Sequence, residues 1–102
     1  MKSDQLLNLA VNATENKKAE DIISLNIQGI SDMTDYFIVC HGNNERQVQS
    51  IARAVKDAAN EAEIEVKRME GFNEARWILI DLANVVVHVL SLIHISEPTR
   101  PY

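Results

Sequence analysis

Residues 76–90 read RWILIDLANVVVHVL, an apolar run broken by one aspartate, one asparagine and one histidine. The run is too short and too interrupted to cross a bilayer, which needs about 20 consecutive apolar residues. Its β-branched content instead suits strands. It divides into RWILIDL (76–82) and VVVHVL (85–90), joined by Ala83-Asn84 as a short antiparallel hairpin connection. Ala-Asn is a poor pair for a tight hairpin, because alanine disfavours positive φ. The spacing therefore predicts a loop longer than two residues, with Asp81 stabilising it by an Asx-type bond.

Working outward, EIEVKRMEG (63–71) alternates apolar and charged residues, with Met69 one step out of phase. It reads as a half-exposed strand near a sheet edge. YFIVCHG (36–42) is aromatic and β-branched, apolar at odd and even positions alike, and reads as a strand apolar on both faces. DIISLNIQG (21–29) reads as another, closed by Gly29. Between residues 43 and 63 lies the clearest helix. Asn44 and Gln47 have capping-box spacing, and Val48, Ile51, Ala52, Val55, Ala59 and Ala62 form one stripe. A first helix starts at Ser3 as cap, presents Leu6, Leu7, Ala10 and Val11, and ends with Lys17 and Lys18 in its last turn. The order is αββαβββ: a small α/β domain with a mixed five-stranded sheet and helices packed on it. Strands apolar on both faces need cover on both, and two helices supply part of it.

The 102 residues suffice for one domain, and an apolar content of 46% supports a core. A net charge of −5 argues against a phosphate-backbone binder and for a partner with a basic surface. No direct nucleic-acid readout and no membrane association are expected. The single cysteine, Cys40, leaves no intramolecular disulfide, and the first residues lack the features of a leader, so the expected compartment is cytoplasmic.

Catalytic signals are weak. His41, His88 and His94 have no partners at metal-ligand spacing, and Cys40 and His41 point to opposite faces of a strand. Packing explains Cys40, and a strand-face position with one hydrogen bond explains His88. Asp32 and Asp35 flank Thr34, and paired carboxylates can hold magnesium in a nucleotidyltransferase-like or nucleotide-binding enzyme. No glycine-serine signature precedes them, and turn chemistry accounts for both. Gly42 before a helix N-terminus is a single glycine and needs no anion. Trp77, the sole tryptophan, follows Arg76, and these residue types are enriched at binding hot spots. Core packing is the competing expectation for Trp77.

Several of these residues together resemble a known family. Lys18-Ala19-x-Asp21-Ile22, Thr34-Asp35-Tyr36-Phe37, Gly42 followed by Arg46-Gln47-Val48, Glu70-Gly71, Trp77, Asp81 and Val85-Val86-Val87-His88-Val89 keep the order and spacing of the ribosomal silencing factor family, also called Iojap or RsfS. The resemblance spans roughly residues 4 to 91. It implies a fold like that of nucleotidyltransferases without their catalytic acids, no enzymatic activity and no cofactor or metal. It implies binding to the large ribosomal subunit through its fourteenth ribosomal protein. Docked there, the domain would block joining of the small subunit and repress translation under nutrient limitation. It further implies a monomer when bound, with a homodimer open to the free chain, paired through a sheet edge after the last strand.

On that reading Trp77 is the buried anchor of the contact, Ile78 extends the apolar contact and Met69 adds an adaptable one. Arg76, Glu70 and Asp81 form a polar rim, while Asp35 and Tyr36 hold the sheet together. Two departures stand out. Ala83-Asn84 replaces the Gly-Asp type of pair usual in the family's hairpin. After the last strand the family continues with a charged turn, a tyrosine and a short helix ending in Leu-Trp, whereas this chain has SLIHISEPTRPY. The expected organisation is thus a domain over residues 1–91 and an irregular, non-native tail over 92–102. Genomic DNA encoding that tail in uninterrupted frame would refute the second part.

Overall fold

The structure, a computed structural model, describes residues 2–92. Seven elements follow the expected order: α1 (Ser3–Asn16), β1 (Glu20–Asn26), β2 (Tyr36–Gly42), α2 (Glu45–Glu61), β3 (Arg68–Glu70), β4 (Trp77–Asp81) and β5 (Val85–Ser91). The five strands form one mixed sheet in the order β1-β2-β5-β4-β3. Only β2 and β5 are parallel, and α2 lies in the connection between them, as a parallel pair requires. β5 is paired on both sides, so the sheet edges are β1 and β3. The expected free edge after the last strand is absent, because β4 turns back to cover that side of β5. The tail over residues 93–102 lies outside the described residues. Among the described residues, no helix is long and apolar enough to cross a membrane.

Both helices pack on the same sheet face. Leu6, Ala10 and Ala13 of α1 join Val48, Ile51, Ala52, Val55 and Ala59 of α2 in one buried cluster. The sheet contributes alternate residues to it: Ile38 and Cys40, then Ile78 and Ile80, then Val85, Val87 and Val89. Gly42 belongs to this face, and a Cβ there would sit 2.8 Å from Val48 Cγ2, so only glycine lets α2 start so close to β2. The Cys40 thiol is buried and its pKa is pushed up to about 12 by desolvation, which makes it a packing group rather than a nucleophile.

The helix ends differ from expectation in detail. Lys2, not Ser3, occupies the N-cap of α1, and the Ser3 hydroxyl instead donates to the Asp35 carboxylate. Beside it Tyr36 Oη donates to Asp4 Oδ1 at 3.1 Å, and this acceptor holds the phenol pKa above its ordinary value. Asp35 and Tyr36 therefore fasten α1 to the start of β2. α1 ends at Asn16, and Lys18 lies beyond it with φ 60°. There Lys18 N donates to Glu15 O and Ala19 N to Thr14 O, which closes the helix. Asn44 caps α2 by accepting from Gln47 N at 2.8 Å. Gln47 Oε1 accepts from Asn43 N, one residue before the cap, while its Nε2 donates to Lys17 O and Lys18 O. One side chain thus joins the end of α1 to the start of α2.

Three boundaries shift. β1 stops at Asn26 rather than Gly29, because the chain turns at Ile27, whose carbonyl accepts from Ile30 N and Ser31 N. β3 is only three residues, and Glu63 instead closes α2 with φ 60°. The hairpin loop spans Leu82, Ala83 and Asn84, and Asp81 Oδ1 accepts from Ala83 N at 2.8 Å, as the spacing predicts. Ala83 does take positive φ, 73°. A left-handed alanine costs about 1 kcal/mol or more relative to glycine. Replacing Ala83→Gly should therefore raise stability by up to ~1 kcal/mol, read as a higher urea midpoint at unchanged slope. A lower midpoint would show that the loop is not strained.

Candidate functional site

With both helices on one face, the other face of the sheet is left open. Strand alternation and register define what lies on it. Across β2 and β5, Phe37 faces Val86, Val39 faces His88 and His41 faces Leu90. Across β5 and β4, Leu90 faces Trp77, His88 faces Leu79 and Val86 faces Asp81. β1 adds Ile23 beside Val39 and Leu25 beside Phe37. β3 adds Glu70 beside Leu79 and Arg68 beside Asp81. The result is an apolar field across four strands with charged groups along its β3 side.

Trp77 stands at the head of this field and is 57% exposed. The competing expectation of core packing does not hold, because its position in β4 points away from the helices. Phe37, Val39, Trp77, His88 and Leu90 line one shallow apolar hollow. Trp77 Nε1 donates to His88 Nδ1 at 3.0 Å, with ring centroids 5.8 Å apart. Phe37 meets His88 edge-on, at 5.2 Å and 75°. Burial among these apolar neighbours lowers the His88 pKa, so the imidazole is neutral near pH 7.

The predicted contact residues separate into two groups. Trp77, Glu70 and Asp81 share the open face, and Arg76 is exposed just before β4. Arg68 binds both rim acids, with Nη1 2.9 Å from Glu70 Oε2 and Nε 3.5 Å from Asp81 Oδ2. These exposed pairs orient the rim more than they stabilise the fold. Ile78 and Met69 belong to the other side. Ile78 is 0% exposed under the helices, since neighbours in a strand point to opposite faces. Met69 faces Ile80 and packs against the core, so neither extends a surface contact with Trp77. The residues that share the open face with Trp77 are Phe37, Val39, Leu79, Val86, His88 and Leu90, of which Val86 is buried. The signal for them was two-sided apolarity in β2 and β5, which a count of strand parity from Trp77 would have located.

The possible magnesium site does not assemble. Asp35 is engaged by Ser3, and Asp32 lies exposed in the turn before β2. Among the described residues, no three His, Cys, Asp or Glu side chains converge as a metal site.

The backbone of Trp77 is held from both sides. Ser91 N donates to Arg76 O at 3.0 Å, extending the β4–β5 ladder. Gly71, at φ 79°, passes so close that a Cβ there would lie 2.2 Å from the Trp77 carbonyl oxygen. The loop after Gly71 is tied to α2 by Gln49 Nε2, which donates to Phe72 O at 2.8 Å, and by Arg53 stacked 5.4 Å from the Phe72 ring.

Comparison with known proteins gives a consistent result. The family model described as ribosomal silencing factor during starvation matches residues 1–92. Ribosomal silencing factor RsfS of Halalkalibacterium halodurans is 56% identical over 89 residues, which is 87% of this chain and 76% of that protein. The Bacillus subtilis protein of the same name is 55% identical over 89 residues, 87% of this chain and 75% of its own length. A crystal structure from Bacillus halodurans aligns with a TM-score of 0.83 at 56% identity, covering 86% of this chain and 82% of that one. Another, from Chromobacterium violaceum, aligns with a TM-score of 0.87 at 28% identity, covering 100% and 94%.

Gly71→Ala should displace Trp77. The left-handed backbone alone makes alanine there unfavourable by about 1–2 kcal/mol, and the carbonyl clash adds to it. The expected result is a loss of at least ~2 kcal/mol in urea unfolding with a changed native tryptophan emission. Unchanged stability and emission would mean that β3 does not restrain Trp77.

Proposed function

The chain belongs to the ribosomal silencing factor family, and from that membership we propose that it docks on the large ribosomal subunit through the open face of its sheet. The family is a regulatory, ribosome-associated one. The partner we propose is the fourteenth protein of the large subunit, on the face that meets the small subunit, with Trp77 as anchor. Phe37, Val39, Leu79 and Leu90 supply the apolar surround, and Arg76, Glu70 and Asp81 the polar rim. The action is steric. A body measuring 42 × 29 × 21 Å, seated on an intersubunit contact, prevents the small subunit from closing on it. Joining fails, and translation falls when nutrients are short. No bond is made or broken, so the reading needs no cofactor and no catalytic residue, and it places the chain in the cytoplasm as a bound monomer.

The observation that carries this reading is the half-exposed sole tryptophan in a field of apolar side chains that the protein's own helices leave uncovered. Contiguous exposed apolar surface of this kind marks an interaction site. An aromatic anchor within an apolar surround and a polar rim is the usual anatomy of an interface. The net charge of −5 suits a basic ribosomal protein and would mainly speed encounter.

Co-sedimentation with purified large subunits tests it. The wild-type chain should pellet with the subunits, and Trp77→Ala should bind at least about 30-fold more weakly, the size of an anchor residue's contribution. Met69→Ala, on the helix side, should bind as wild type does. Equal binding by wild type and Trp77→Ala would move the docking surface elsewhere.

A further inference from the structure

An exposed tryptophan at a docking surface has a disadvantage. Its side chain can occupy several rotamers in the free protein, and docking must then select one. Here the indole is not free to do so. Its Nε1–H is committed to His88 Nδ1 at 3.0 Å, although more than half of the side chain faces solvent. The geometry also assigns the tautomer. Nδ1 accepts, so in the neutral ring the proton sits on Nε2. The imidazole is in turn held by the Phe37 edge and by its strand neighbours Val39 and Leu79.

We propose that His88 is the positioning residue for Trp77: its unprotonated Nδ1 holds the indole in the docking orientation, and capture of a proton releases it. This rests on the reading that the open face is the docking surface. An imidazolium has donors on both nitrogens and cannot accept from the indole. Docking therefore weakens on acidification, although neither contact residue is itself removed.

The surroundings leave His88 to act alone. Its direct neighbours on the face, Val39 of β2 and Leu79 of β4, carry no charge. The titratable and charged groups facing it lie one position further out. On β2 this is His41, which lies 3.7 Å from Asp21 of β1. On β4 it is Asp81, and on β3 Arg68 and Glu70, with Arg68 paired to both acids. The sign follows from linkage. The folded chain binds the His88 proton less readily than the unfolded chain does, so the contribution of neutral His88 is complete above about pH 6.5 and is lost as the pH falls below it.

The test uses the full chain and its single tryptophan, so that the emission comes from Trp77. Emission and co-sedimentation with large subunits are followed between about pH 7.5 and about pH 5, the range in which histidine titrates, while circular dichroism confirms that the fold persists. Two variants accompany the wild type. His88→Asn places an amide oxygen near the Nδ1 position and cannot be protonated there. His88→Phe keeps an aromatic ring and removes the acceptor. The wild type should show quenching of Trp77 by the imidazolium with a midpoint below about 6.5, and docking should fall over the same range. In His88→Asn neither the emission nor the docking should change between the two ends of the pH range. His88→Phe should dock about tenfold more weakly at neutral pH, as expected for one lost hydrogen bond to a binding residue, and should also be insensitive to pH. The proposal is overturned if wild-type emission is flat across the range, if a titration persists in His88→Asn (which would assign it to another histidine), or if His88→Phe docks as wild type does. Loss of the docking reading itself would look different: the emission titration would remain, and Trp77→Ala would bind undiminished.

Discussion

Two helices that pack against each other can cover only one face of a sheet, and the rest of this structure depends on that constraint. α1 and α2 share one buried cluster, so the central strands bury the residues of one parity beneath the helices and turn those of the other parity to the uncovered face. A polar second face would make this an ordinary two-layer domain. Here the second face is built from Phe37, Val39, Leu79, Val86 and Leu90, with Trp77 at its head. The chain presents that surface while carrying a net charge of −5. An interaction protein needs this combination: a rigid sheet, an apolar field and a charged border.

The devices around the field serve its rigidity. Asn84 O accepts from Asp35 N and Tyr36 N, so the β4–β5 loop is tied to the start of β2. Asp35 and Tyr36 are tied to α1 in turn. Gln47 joins the two helices at the other end. Gly71 passes close against the Trp77 carbonyl, and Gln49 and Arg53 hold Phe72 of the β3–β4 loop to α2. Each contact is worth little alone, yet together they leave the strand carrying Trp77 few ways to move. The remaining freedom is in the indole, and His88 removes it.

Much of this was legible in the sequence. β2, α2 and β5 follow from β-branched runs and a clean helical stripe, and the Asp81 bond across the hairpin followed from turn chemistry. What periodicity could not supply is a choice of face. Two-sided apolarity in β2 and β5 says that both faces avoid water, not which one the helices take. Ile78 was grouped with Trp77 because they are adjacent in sequence, whereas a strand sends them to opposite sides. Met69 was out of phase with Ile64 and Val66, and the structure explains it: residues 63–67 are not strand, so they impose no parity on β3. Ser3 looked like a cap, but a carboxylate thirty-two positions away competes for its hydroxyl, which no local pattern reveals.

The central claim is that the open sheet face, and not the helix side, meets the ribosome. Hydroxyl-radical footprinting of the chain, free and saturated with purified large subunits, reads both sides in one experiment. The account predicts strong protection of Trp77, Phe37 and Leu90, with Leu9 and Met69 on the helix side oxidised equally in both states. Protection of Leu9 and Met69 with Trp77 still reactive would contradict it.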